Sequence, residues 1–233
     1  MSNIIKFIRG AEADIPVLNQ GEPAFTTDTH KVFIGDGAAN HQLAMITDIS
    51  DIDKTNWVYP QDYATGTGTL GDPWANNCIN SAYTACPTGG TIFLRAGYYT
   101  LSTLLYIDKK INIIGEGINK TIIVMGVTTT NAIYMEAQDY VTLQGFTIDG
   151  DSQTASSSLI SIHAGCSYIT VKDVEVKNGY GSGIQYYESN YSTFKNIYSH
   201  NNGNVGLYSI SNKSVGNKNN LYRDIYCWDN VDV

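Results

Sequence analysis

One short phrase recurs four times between Tyr140 and Asn230, and this recurrence restricts the possible folds more than any other property of the chain. YVTLQGFTIDG begins at Tyr140, YITVKDVEVKNG at Tyr168, YSTFKNIYSHNNG at Tyr191 and NLYRDIYCWDN at Asn220. Aligned on Gly145, Asp173, Asn196 and Asp224, the copies lie 28, 23 and 28 residues apart, a period at which self-similarity signals a solenoid of stacked units. Leu143, Val171, Phe194 and Tyr222 share one column, and Phe146, Val174, Ile197 and Ile225 share a second. Gln144, Lys172, Lys195 and Arg223 stand between them. Apolar residues alternating with polar ones predict a β-strand in every copy.

A second, shorter strand is expected before each: NAIYME from Asn131, LISIHAG from Leu159, SGIQYYES from Ser182 and VGLYSIS from Val205. Two or three strands per coil, closed by Gly and Asn, predict a parallel β-helix with neighbouring coils about 4.8 Å apart. Asn178 and Asn201 share the place just after the strand, between Gly150 and Asp229 in the same column. An Asn there tolerates left-handed backbone and can bond its amide to the next coil.

Composition narrows the partners. A formal charge of −8 opposes binding to duplex nucleic acid or to an anionic membrane, both of which require a cationic face. No apolar run is long enough to cross a bilayer, so no membrane insertion is expected, and MSNIIKFIRG has no signal-peptide pattern. The four cysteines have neither zinc-site nor framework spacing; no metal and no cofactor are expected, and reduced thiols fit assembly in a host cytoplasm. Cys227, in the column of Ile148 and Val176, is expected as a small core residue. Seventeen Tyr offer flat apolar faces for sugars or subunits, with simple strand propensity as the alternative.

Residues 1–46 form a separate module. IIKFIRG reads as a short strand, AFTTDTHKVFIGDG as two strands about a turn at Asp28 to His30, and HQLAMI as a last strand. The string from Arg9 to Gly37 resembles the N-terminal module of phage tail fibres and tailspikes of the major tropism determinant type. There an arginine-glycine start precedes a Gly-Glu-x-x-(aromatic)-x-Thr-Asp-Thr phrase and an (aromatic)-Ile-Gly-Asp-Gly phrase, here Gly21 to Thr29 and Phe33 to Gly37. The resemblance implies attachment to a virion and trimerisation. It departs from the pattern before Arg9, where Phe7 and Ile8 replace the usual second arginine.

Residues 47–56 read as a linker, and a second domain spans 57–233. A helix is expected from about Trp74 to Ala85, with Ile79, Ala82 and Tyr83 as its apolar stripe. Gly89-Gly90, the strand TIFLRAG and a Gly-Tyr-Tyr turn follow. This order resembles the start of pectate-lyase-like right-handed β-helices, whose helix covers the open end of the solenoid. The expected fold class is therefore all-β: a small N-terminal β module, then a single-stranded right-handed parallel β-helix with one N-terminal capping α-helix. Gly115-Glu116-Gly117 reads as a turn, since no Lys-Ser/Thr follows it. No capping element follows Asn230, so 57–233 is expected to be the front part of a longer β-helix.

Candidate chemistry lies on the outer faces. Counting back from the Tyr that opens each main strand puts Glu136, His163 and Glu188 at similar places on successive coils. The two acids would stand roughly 9.6 Å apart, near the upper limit for an inverting carboxylate pair; ordinary solvated residues are the alternative. Tyr186 and Tyr187 are candidate glycan-stacking residues. The row Lys172, Lys195 and Arg223 is a candidate for holding an anionic sugar, although the adjoining Asp173 and Asp224 partly neutralise it. Asp149-Gly150-Asp151 reads as a turn.

These expectations make the chain a homotrimeric phage tailspike or tail-fibre component of the virion. It would dock on tail or baseplate proteins through residues 1–46 and recognise a host surface polysaccharide through its β-helix. The alternative is a tailspike depolymerase, a hydrolase or lyase acting on capsule or lipopolysaccharide. No phrase matches the paired aspartates of polygalacturonases or the calcium-acid and arginine set of pectate lyases, so whether the chain is catalytic stays open.

Overall fold

The computed structural model describes residues 8–26, 32–42, 55–58, 79–126, 130–151, 153–211 and 217–231. The chain divides into two compact units between Asp53 and Lys54. The first holds β1 (Ile8–Gly10), β2 (Pro23–Thr26), β3 (Val32–Gly35) and β4 (Asn40–Gln42) in one sheet of that order. β1 pairs parallel to β2, while β2 to β4 are antiparallel. The expected turn at Asp28 to His30 lies outside the described residues.

The Ile-Gly-Asp-Gly phrase has a physical reading here. A side chain on Gly35 would clash with Leu18 Cβ and the Leu18 carbonyl oxygen, so only glycine lets the two segments close. Asp36 then accepts the backbone N–H groups of Ala38 and Ala39 through Oδ1, at 2.8 and 2.7 Å, and Gly37 turns at φ 89°. Leu18, fully buried, donates its N–H to Asn40 Oδ1 at 2.8 Å.

Among the described residues of the second unit every strand pairing is parallel. β5 (Thr55–Val58) pairs with β6 (Thr91–Leu94), so regular structure starts two residues ahead of Trp57. Between them α1 (Ile79–Ala85) buries Ile79, Ala82 and Tyr83, the stripe read from the sequence; residues 74–78, and Cys78 with them, lie outside the described residues. β7 (Gly97–Leu101), β8 (Leu105–Ile107), β9 (Asn112–Gly115) and β10 (Thr121–Met125) complete the early coils. Later coils alternate a short strand, namely β11 (Ile133–Met135), β13 (Ile160–Ile162), β15 (Ile184–Tyr187) or β17 (Leu207–Ile210), with a long one. The long strands are β12 (Thr142–Asp149), β14 (Thr170–Lys177), β16 (Thr193–His200) and β18 (Leu221–Trp228). The result is a parallel β-solenoid of about five turns.

The four-copy alignment is the observed register. Leu143, Val171, Phe194 and Tyr222 pair in sequence, as do Phe146, Val174, Ile197 and Ile225. Simple alternation does not survive through the strand, however. Leu143 and Phe146, three residues apart, both face the core, because Gly145, Asp173, Asn196 and Asp224 take left-handed backbone with φ of 75°, 53°, 53° and 56°. One left-handed residue bends each long strand and shifts its inward parity by one. In the preceding coil the bend is a loop: β9 pairs with the first half of β12 and β10 with the second, and residues 116–120 turn between them, with the Lys120 N–H donating to the Gly117 carbonyl oxygen at 3.1 Å. Gly145 is glycine because a Cβ there would stand 2.5 Å from the Gly115 carbonyl oxygen.

Inside, stacked columns of Ile, Val, Leu and Phe make one continuous core. Asn178 and Asn201 adopt φ of 56° and 55°, and Asn178 Nδ2 donates to Asp149 Oδ1 at 2.9 Å. A further ladder lies beside them: Asn202, buried, donates its amide to Asn230 Oδ1 at 2.9 Å and accepts the Gly179 N–H at 3.0 Å. On β18 the inward columns carry Tyr222 and Cys227, both exposed. Cys227 holds its predicted column without being a core residue, since no described coil stacks beyond it.

Candidate functional site

Three outward faces carry polar and aromatic rows. The first belongs to the sheet of short strands. β15 points Ile184 and Tyr186 inward and Gln185 and Tyr187 outward. Tyr186 is therefore no glycan contact: it is buried against Phe194 at 4.8 Å and Tyr222 at 5.8 Å between ring centroids. Met135, Ile162 and Tyr186 are register partners, so Glu136, His163 and Tyr187, each the next residue, fall in one row.

Glu188 lies one place beyond that row at φ 50°. β15 is four residues long where β11 and β13 have three, and Tyr187 prolongs the strand where the earlier coils already turn. Around Glu136 the geometry is defined. Tyr134 donates its hydroxyl to Glu136 Oε2 at 3.1 Å, and its ring contacts those of Tyr106 at 5.5 Å and His163 at 4.9 Å. Tyr187 lies 6.3 Å from His163. Burial, then the Glu136 carboxylate, raises the Tyr134 phenol above its ordinary range. A hydrogen bond to Glu188 raises that of Tyr187. A carboxylate, a phenol kept neutral and an imidazole on one sheet face can bind hydroxyls and relay protons.

The second face is the first half of the long strands. Lys172, Lys195 and Arg223 form one row with Gln144, as read from the sequence. Asp173 lies 3.6 Å from Lys172, and Asp224 3.3 Å from Arg223. Two residues earlier, Thr142, Thr170 and Thr193 form a hydroxyl row. At the corner, exposed Tyr140, Tyr168 and Tyr191 stack at 4.8 and 5.2 Å, with Lys110 Nζ 5.0 Å from the Tyr140 ring centroid.

The third face follows the bend. Asn119 N–H donates to Thr147 Oγ1, and Thr147 donates to Glu175 Oε2 at 2.8 Å. Glu175 also meets His200 Nε2 at 3.2 Å and Lys177 Nζ at 3.6 Å. The His200 ring stacks on Trp228 at 4.2 Å, and Tyr198 stacks on Tyr226 at 5.1 Å. Sequence reading did not single out Glu175 and His200; aligning the columns beyond the bend would have placed Glu175 beside Tyr198 and Lys177 beside His200. Asp149 Oδ1 accepts the Asp151 N–H at 3.2 Å, consistent with the turn read at Asp149-Gly150-Asp151.

A small β module carrying an Ile-Gly-Asp-Gly turn, ahead of parallel coils with a bend residue at each corner, defines a two-part class: a tail-fibre-like N-terminal domain on a right-handed parallel β-helix. The chain belongs to the family described as the Pel9A-like, right-handed beta helix region, whose model matches residues 56–233. Residues 5–39 match the model of the Major tropism determinant N-terminal domain. No curated protein matches the sequence.

Among solved structures, Geobacillus virus E2 ORF18 is similar with a TM-score of 0.61 at 18% identity, over 94% of this chain and 49% of that one. The A-module of Azotobacter vinelandii mannuronan C-5 epimerase AlgE4 is similar with a TM-score of 0.51 at 18% identity, over 75% of this chain and 52% of that one. The chain thus spans about half the length of each. These likenesses show a shared fold.

Proposed function

We propose that the protein is a phage tailspike or tail-fibre component that attaches to the virion tail or baseplate through residues 1–46, as a homotrimer, and presents its β-helix to a host surface polysaccharide. The observation that carries this reading is the match of residues 5–39 to a tail-fibre-like domain on the same chain as a β-solenoid whose faces bear repeated aromatic and charged rows. Flat faces repeating at one coil spacing suit a polymer better than a small compact ligand, which favours a cleft. The test is adsorption of the full chain to the bacterium on which the virion grows, with and without that bacterium's purified surface glycan as competitor. Competition supports the reading, and adsorption indifferent to the glycan removes it.

The contact between Glu136 and Tyr134 beside His163 favours a second reading, a depolymerase acting on that glycan. Here Glu136, His163 and Glu188 would share the proton transfers, with Tyr187 against the sugar. Reducing ends or unsaturated products released from host glycan would support it. Glu136→Gln is expected to lower turnover by 10²-fold or more, within the usual range for removing a general acid or base; unchanged turnover in both Glu136→Gln and Glu188→Gln would remove these residues from the chemistry.

A further inference from the structure

We propose that Tyr140, Tyr168 and Tyr191 form an oxidative cross-linking site, at which a peroxide-driven one-electron oxidant joins neighbouring phenols and staples successive coils covalently. The site is a place of modification, separate from any face that meets a glycan. Its three residues each stand two places before the aligned strand partners Thr142, Thr170 and Thr193. The same column holds Lys110 in the preceding coil and Asn219 in the last.

Backbone geometry does not account for tyrosine at this place. Asn219 adopts the same left-handed conformation, at φ 56°, and Asn does so at lower cost than a bulky residue. Three coils nevertheless carry Tyr, at φ of 58°, 57° and 51°. A side chain held on unfavourable backbone points to a role for the side chain itself.

What Tyr brings is a stack of phenols open to solvent. Successive ring centroids lie 4.8 and 5.2 Å apart with the planes 4° and 12° from parallel, and all three rings are exposed. A diffusible oxidant therefore reaches each ring, and each ring already touches its reaction partner. A radical on an isolated surface tyrosine must wait for a diffusive encounter, whereas one in this stack meets its partner at the high effective concentration of a preformed contact.

The chemistry closes without a further reagent. Each phenol gives up one electron and one proton to become a phenoxyl radical, whose unpaired spin lies partly on the ring carbons beside the oxygen, Cε1 and Cε2. Two radicals couple through a new bond between one such carbon of each ring. The hydrogen on each coupled carbon then moves to its own phenol oxygen, which restores both phenols. The pair has lost two electrons and two protons, and one molecule of hydrogen peroxide takes them up to give two of water. Tyr168 has two such carbons and touches both neighbours, so it joins Tyr140 on one side and Tyr191 on the other. The links would tie residues 28 and 23 positions apart and restrict the unfolded chain as disulfides do.

The experiment treats the dilute 233-residue chain with a haem peroxidase and hydrogen peroxide. It reads dityrosine emission, mass on a denaturing gel, and linked peptides by mass spectrometry. Peptides joining Tyr140 to Tyr168 and Tyr168 to Tyr191, each lighter by two hydrogens, are expected in a product of single-chain mass, with a urea midpoint above that of untreated protein. Tyr168→Phe keeps a ring in the stack but has no phenol, and is expected to abolish both peptides. Tyr140→Phe should abolish only the first, which keeps the test decisive if Tyr168→Phe fails to fold. Tyr98→Phe, on an exposed ring outside the stack, should leave both. Absence of the two peptides overturns the inference. So do links spread over exposed tyrosines such as Tyr98, Tyr180 and Tyr208 as readily as over the stack, or products that join separate chains in place of neighbouring coils.

Discussion

Tyr140, Tyr168 and Tyr191 hold left-handed backbone, at φ of 58°, 57° and 51°, a conformation that costs a bulky residue about 1–3 kcal/mol. Stacking between successive rings returns about 0.5–1.5 kcal/mol per pair, and Tyr168 touches both neighbours. Tyr168→Asn, which accepts the backbone but breaks two stacks, is expected to destabilise the solenoid by about 1 kcal/mol in urea denaturation. In the N-terminal unit, hydrogen bonds from His41 and then from the Ala39 and Ala38 amides hold the Asp36 carboxyl well below the usual carboxylate range. Its stabilisation is whole above the unfolded value of about 3.9 and is lost as pH falls toward the lower folded value. Asp36→Asn should therefore remove part of this unit's acid sensitivity, seen as a flatter dependence of its melting on pH below 4. Left-handed backbone at Asn178 and Asn201 was legible from Asn closing each coil, whereas Gly145, Asp173, Asn196 and Asp224 served only to align the copies and their bends were not read. The left-handed tyrosines were not legible either, because nothing in the intrinsic preference of Tyr favours that conformation, and only coil-on-coil stacking makes it tolerable.

At the scale of elements, α1 is tied to the solenoid by Asn80, whose amide donates to Thr103 Oγ1 and the Leu104 carbonyl oxygen at 2.8 and 3.0 Å, and by Tyr83. The Tyr83 hydroxyl donates to Asp108 Oδ1 at 2.6 Å and accepts the Asp108 N–H at 2.7 Å. Lys109 Nζ donates to the carbonyl oxygens of Tyr83 and Cys86 at 2.6 and 2.7 Å, placing a cation at the helix C-terminus where the dipole favours it. Tyr83→Phe should cost about 1–3 kcal/mol through the unsatisfied Asp108 groups, whereas Tyr98→Phe, on an exposed ring, should change stability by under about 0.5 kcal/mol. Deep in the coils, Phe194 is fully buried between Tyr186 and Tyr222. Phe194→Ala is expected to cost about 3–5 kcal/mol, read from the shift in denaturation midpoint. The apolar stripe of α1 was legible from helical spacing. The extra residue of β15 was not, because strand length depends on what the adjoining coil offers to pair with.

For the whole molecule, stability is a sum over neighbouring coils, since each long strand pairs only with those on either side. A homotrimer predicts light scattering at about three times the chain mass of 25.5 kDa, and a monomer at all working concentrations would remove the threefold arrangement from the proposed function. The repeat period, the inward columns and the parallel stacking were determined by the sequence alone, because a solenoid writes one coil after another in a single dimension and each column must be apolar or polar as a unit. Tertiary structure alone decided which outward residues share a row. Tyr187 rather than Glu188 stands beyond His163, inward parity shifts at each bend, and Thr147 with Glu175 becomes buried although it lies on the outer side of the sheet. The reason is that register depends on turn lengths and on what covers each face, and both are settled by contacts between coils rather than within them.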